Sequence, residues 1–154
     1  MTTTNGTKAL LASLAAERVY VAAFVNRTAM EQELADGTRP VHLICAGTDG
    51  LVSLEDSLFA GALAAGLTRS GQAGELANDE ARMLVRLWNS LGVDEAIGHD
   101  TALLLLAEVL REGRGGRRVH AIGLELDLLD SCRIDRFDLV AEVERDPTRV
   151  VRKH

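Results

Sequence analysis

The stretch from Pro40 to Gly61 constrains this chain most. Val41 to Cys45 is a short apolar run that reads as a buried strand, and Pro40 can open it because a strand's first residue tolerates a missing N–H. A loop with two glycines follows, Cys45-Ala46-Gly47-Thr48-Asp49-Gly50, and a helix then opens at Ser53-Leu54-Glu55-Asp56 with two adjacent carboxylates. Strand, glycine loop and helix in that order belong to α/β folds, whose open sheets hold ligands at the carboxyl ends of their strands.

The flanking sequence extends this alternation. Arg18 to Val25 holds Val19, Tyr20, Val21, Phe24 and Val25, the composition of a buried strand. A helix is expected from Asn26-Arg27-Thr28, with Thr28 and Glu31 in capping-box spacing and Asp36-Gly37 as its stop. Leu54 to Leu67 has a helical apolar period, and Asn78 caps an amphipathic helix with Ala81, Leu84, Val85 and Trp88 inward. Thr68 to Gly74 between them reads as a polar loop. Another helix is expected from Asp100 or Thr101 to about Glu112, a strand at Val119–Ile122, a helix or turn over Leu124–Cys132, and a strand at Leu139–Val143. Val150-Val151 reads as a small edge strand. The sum is one α/β domain over residues 1–154, with a mostly parallel or mixed sheet flanked by helices in three layers.

Composition bounds the function. A net charge of −6 disfavours nucleic acid, whose phosphates need clustered Lys and Arg. The densest basic stretch, Arg111 to Arg118, is broken by Gly113, Gly115 and Gly116 and reads as a solvated loop. No run of about 18 apolar residues is present to span a membrane, and no signal peptide is visible, so a cytoplasmic protein without membrane partners is expected. Cys45 and Cys132 match no metal spacing and read as buried, reduced thiols.

Several residues carry two readings. Ser53 and Asp56 fit a capping box, while Glu55 and Asp56 also suit Mg²⁺, which takes one or two carboxylates plus substrate oxygens and water. Helix neighbours project about 100° apart, so one acid can cap while the other faces the loop. Backbone N–H groups of Gly47-Thr48-Asp49-Gly50 can cradle a phosphate, although the Lys-Ser/Thr of a P-loop is absent. Cys45 is either a nucleophile or a packed thiol. Thr2-Thr3-Thr4-Asn5-Gly6-Thr7 is a cap or an anion nest ahead of a helix over Ala9–Ala16. Asp79 and Arg82 read as an i,i+3 pair on a solvated cap, and Asp127, between leucines, as a partly buried acid.

Together these pieces resemble the 2-phosphosulfolactate phosphatase family. The matching segments are Thr3-Thr4-Asn5-Gly6-Thr7, Ala23-Phe24-Val25-Asn26, Ile44-Cys45-Ala46-Gly47-Thr48, Ser53-Leu54-Glu55-Asp56 with Ala60-Gly61, and Asn78-Asp79-Glu80-Ala81-Arg82. Gly123-Leu124-Glu125-Leu126-Asp127, Cys132 and Asp135-Arg136-Phe137 complete the ordered set, which covers nearly all of the chain. The resemblance implies Mg²⁺-dependent hydrolysis of the phosphate ester of 2-phosphosulfolactate to sulfolactate and phosphate, a step that serves coenzyme M biosynthesis in methanogens. It implies Cys45, Glu55 and Asp56 in the chemistry, and Asn5, Thr7, Gly47, Thr48 and Arg82 around the small anionic phosphate ester. Glu55, Asp56 and Asp127 are implied at the metal. Family members also carry an Asp-x-x-Arg-Ala-Thr-like and a Gly-Asn-Ser-Pro-like segment in an amino-terminal portion, neither of which occurs here. A chain truncated at its N-terminus is therefore expected, with little activity alone and a homodimer or a separate N-terminal polypeptide as partner. The alternative is a non-catalytic remnant, acting as an interaction or oligomerisation module or as a small-anion-binding domain.

Overall fold

A computed structural model describes residues 4–35, 39–69, 75–93 and 98–153. Thr2 and Thr3 of the expected cap, the Asp36-Gly37 stop and most of the 68–74 loop lie outside them. The described residues form seven helices and a small sheet: α1 Thr4–Ser13, α2 Arg27–Leu34, α3 Leu54–Arg69, α4 Asp79–Ser90, α5 His99–Glu112, α6 Arg114–Ala121 and α7 Glu125–Ser131. The strands are β1 Tyr20–Val21, β2 Ala141–Arg145 and β3 Thr148–Arg152.

The α3 helix is the hub. It is apolar on all sides and rich in Ala and Gly, the composition of a helix buried all round. Leu58, Ala62 and Leu63 are almost fully buried, and α3 packs against α2, α4 and α6. At Gly61 an added Cβ would lie 2.3 Å from the Leu84 carbonyl oxygen, so only glycine permits this α3–α4 approach. The α4 helix turns Ala81, Leu84, Val85 and Trp88 inward, as its periodicity predicts. Phe24 stacks on Trp88 at 5.7 Å and meets Phe59 edge-on at 5.3 Å, joining this core to the chain before α2. Leu106 and Leu110 of α5, with Leu128 and Cys132 beside α7, complete the same cluster.

The sheet departs from expectation. It has three strands in the order β1-β2-β3 and both pairings are antiparallel, with Tyr20 opposite Glu142 and Val143 opposite Val150. The mostly parallel sheet in three layers does not form among the described residues. Only two residues of the Arg18–Val25 stretch enter the sheet; Phe24–Asn26 instead coils into a 3-10 turn. The cause is Asn26, whose Oδ1 accepts the Ala23 N–H at 2.9 Å and whose Nδ2 donates to the Leu139 carbonyl at 3.2 Å. Val41–Cys45 is exposed and unpaired among the described residues, so it is not a strand: its composition favours one, but strands need a neighbour. Val119 and its neighbours belong to α6 rather than to a strand, and the basic stretch read as a loop is the end of α5 and most of α6. The β3 strand confirms the reading of Val150-Val151 as an edge.

Local caps also differ. Thr28 lies inside α2, and its N–H and hydroxyl donate to Asp135 at 2.6 and 2.7 Å in place of the expected local box with Glu31. Arg18, Tyr20 and Lys153 converge on Glu33, whose Oε1 accepts the Tyr20 hydroxyl at 2.7 Å and also binds the Lys153 ammonium. Lys153 foremost, then Tyr20, holds the Glu33 carboxyl below its usual range despite partial desolvation.

Two outcomes follow. Asn26→Ala strips partners from three backbone groups at a buried position, and urea unfolding should show a loss of about 2–3 kcal/mol; a change within about 0.5 kcal/mol would refute the role. A depressed folded pKa means that the Glu33 contribution is present above the carboxyl's unfolded pKa and lost as pH falls through the folded one. Urea midpoints should therefore fall more steeply below about pH 4.3 in the native chain than in Glu33→Gln; parallel curves would contradict this.

Candidate active site

The two acids of α3 point to different neighbours. Ser53 is buried and its Oγ accepts the Asp56 N–H at 3.2 Å, which makes Ser53 the N-cap. Asp56 does not close the capping box; its Oδ2 accepts the Gly47 N–H at 2.7 Å, tying the preceding loop to the helix. Glu55 lies over Gly115 in the first turn of α6, where an added Cβ would sit 2.2 Å from its Oε1. The positive end of the α6 dipole suits a carboxylate there. The divergence expected from helix geometry is thus realised, with Asp56 on the loop and Glu55 on α6.

The loop is rigid by its own bonds. Thr48 and Leu51 exchange N–H···O bonds of 2.9 and 3.0 Å around Asp49 (φ 55°) and Gly50 (φ 77°), the conformation of a type I′ turn. Gly47 has φ 70°, and a Cβ there would meet the Leu51 carbonyl oxygen at 2.6 Å. Arg118 of α6 fixes the tip by pairing with Asp49 at 2.6 Å. Of the N–H groups expected to cradle a phosphate from Gly47 to Gly50, those of Gly47 and Thr48 are taken inside the loop.

Cys45 is exposed, not buried as read from sequence, whereas Cys132 is buried; both are free thiols. The Cys45 Sγ lies 3.6 Å from the Asp56 carbonyl. Partial burial of the sulfur, and then the Asp56 carboxylate, hold this thiol above its ordinary pKa. A thiolate nucleophile is disfavoured there.

A groove of about 1290 Å³ runs between α1, the 40–46 segment, β1 and α3, and Thr7, Cys45, Glu55 and Asp56 all line it. Asn5, Gly47, Thr48, Arg82 and Asp127 do not. Asn5 and Thr7 lie inside α1 rather than in a turn before it. Arg82 pairs with Asp79 of its own helix at 3.5 Å, and Asp127 is exposed, not half-buried. Among the described residues no three His, Cys, Asp or Glu side chains group to hold a metal. Sequence reasoning missed Arg118 and Gly115, and the only signal for either lay in the basic, glycine-broken stretch between α5 and α7.

A sequence profile of the 2-phosphosulpholactate phosphatase family matches residues 1–146. A protein of Synechococcus sp. (strain RCC307) named probable 2-phosphosulfolactate phosphatase is 43% identical over 146 residues, 91% of this chain and 55% of that protein. Proteins of the same name from Prochlorococcus marinus and Symbiobacterium thermophilum are 37% and 34% identical over 91% and 90% of this chain, and over 54% of each relative. The chain spans about half the length of the curated relatives it matches.

The bonding makes two predictions. Gly47→Ala forces a Cβ into positive φ against the Leu51 carbonyl and should cost about 1–3 kcal/mol in denaturant unfolding; an unchanged midpoint would contradict the loop geometry. Iodoacetamide should alkylate Cys45 slowly at pH 7 despite its exposure, and faster in Asp56→Asn once the neighbouring charge is gone. Equal rates in the two proteins would show that Asp56 does not govern the thiol.

Proposed function

The chain belongs to the 2-phosphosulpholactate phosphatase family, and on that premise we propose that it takes part in Mg²⁺-dependent hydrolysis of the phosphate ester of 2-phosphosulfolactate, giving sulfolactate and phosphate. The observation that carries this reading is that Thr7, Cys45, Glu55 and Asp56, from three separate stretches of chain, all line one groove. The names of the relatives favour an enzyme over a non-catalytic remnant. The free thiols are compatible with a reducing cytoplasm, and no helix among the described residues is long and apolar enough to cross a membrane.

The donor set fits Mg²⁺ in one way only. Two carboxylates facing a phosphate ester repel it, and a hard divalent cation with a thin protein shell resolves that repulsion. The Asp56 oxygen not engaged by Gly47 would be the protein's ligand to it, since Glu55 diverges toward α6; Asp127 does not line the groove. When bound, the ion supplies charge neutralisation on the phosphoryl oxygens.

The chain's own residues supply the rest. Thr7 offers a hydroxyl donor to a phosphoryl oxygen, and Cys45 stays a protonated thiol in the same groove. Glu55 accepts a proton from the attacking water as its oxygen bonds to phosphorus. The ester P–O bond breaks, and the leaving alkoxide takes up a proton from solvent water to become the sulfolactate hydroxyl. Asp56 acts by position, keeping the loop and the start of α3 in one arrangement.

Phosphate release from 2-phosphosulfolactate decides the matter, measured on this chain alone and co-expressed with the part of the Synechococcus RCC307 relative outside the match. Release that needs Mg²⁺ and falls about a hundredfold or more in Glu55→Gln is expected. No release in either setting, or full rates in Glu55→Gln, would overturn the assignment.

A further inference from the structure

We propose that the cleft between α2, residues 138–140 and the end of β3 binds a free α-amino acid with an aliphatic side chain, held as its zwitterion. This cavity of about 340 Å³ falls within the span of roughly 300–1,000 Å³ usual for small-molecule sites. Its walls carry two acids, Glu33 and Asp138, and two bases, Arg152 and Lys153. Of the lining residues only Glu33 also borders the large groove, so the two concavities are distinct.

These charges are not all spent on one another. Lys153 is bound to Glu33, but every contact of that carboxylate with Tyr20, Lys153 and Arg18 uses Oε1, which leaves Oε2 as an acceptor. Asp138 and Arg152 are exposed, and among the described residues neither side chain has an ion pair or a hydrogen bond. The Gln32 carboxamide is likewise unengaged. A lone anion would meet Glu33 and Asp138 here, and a lone cation would meet Arg152 and Lys153. A molecule that carries both charges close together suits both halves of the wall. Its carboxylate accepts from the Arg152 guanidinium and the Gln32 amide, and its ammonium donates to Asp138 and to Glu33 Oε2. The rest of the lining is Ala29, Leu139 and Val140, which suits an aliphatic side chain.

Titration of the isotope-labelled chain with L-leucine, followed by amide chemical shifts, tests this independently of any phosphatase activity. Saturable shifts are expected at the amides of Gln32, Glu33, Leu139, Val140 and Lys153. N-acetyl-L-leucine lacks the ammonium and L-leucinamide lacks the carboxylate, so each should bind at least about tenfold more weakly. Asp138→Asn and Arg152→Gln should each weaken L-leucine binding to the same extent. Both positions are exposed, so circular dichroism should stay native in the variants, and the comparison of the two derivatives needs no variant. Shifts that do not saturate or that centre elsewhere would overturn the inference. So would derivatives that bind as well as L-leucine, or full affinity in Arg152→Gln.

Discussion

The bond from the Gly47 N–H to Asp56 Oδ2 decides how the candidate site is arranged. It closes the loop onto the first turn of α3, and it removes one of two adjacent carboxylates from free use. Ser53 caps the helix, so Asp56 is released from capping and becomes the loop's anchor. Glu55, one residue earlier, is rotated about 100° away and meets α6 instead. Two acids that look equivalent in sequence thereby hold different positions.

That arrangement depends on close packing behind it. The α3 helix can sit among α2, α4 and α6 because small residues fill its buried faces, and Gly61 admits the backbone of α4. Gly115 plays the same part for α6, leaving room for the Glu55 carboxylate where any side chain would collide. Arg118 then reaches Asp49 from the same helix and holds the turn's tip. Glu55 and the tip of the loop are therefore placed by Gly115 and Arg118, from a region of the sequence more than fifty residues away.

What the sequence made legible is what local periodicity governs. The α3, α4 and α5 helices, the Asn78 cap and the inward face of α4 follow from residue spacing within one element. So does the Ser53 cap, and the family resemblance rests on the same ordered residues. Illegible parts depended on distant partners. Val41–Cys45 has strand composition, but no neighbour among the described residues turns it into a ladder, and Val119 joined a helix because α6 packs on α5 and α7. Thr28 is capped by Asp135 from more than a hundred residues downstream, which no local box could indicate. Cys45 and Asp127 were misplaced because apolar sequence neighbours do not guarantee burial when an element presents only one face to the core.

The central claim is that Asp56 anchors the loop and so leaves Glu55 as the acid available for chemistry. Hydrogen exchange at the Gly47 amide measures that bond directly, in the native chain and in Asp56→Ala. Slow exchange in the native chain, accelerated at least about tenfold in Asp56→Ala while α3 amides stay protected, is the predicted result. An equally fast Gly47 amide in both proteins would contradict it.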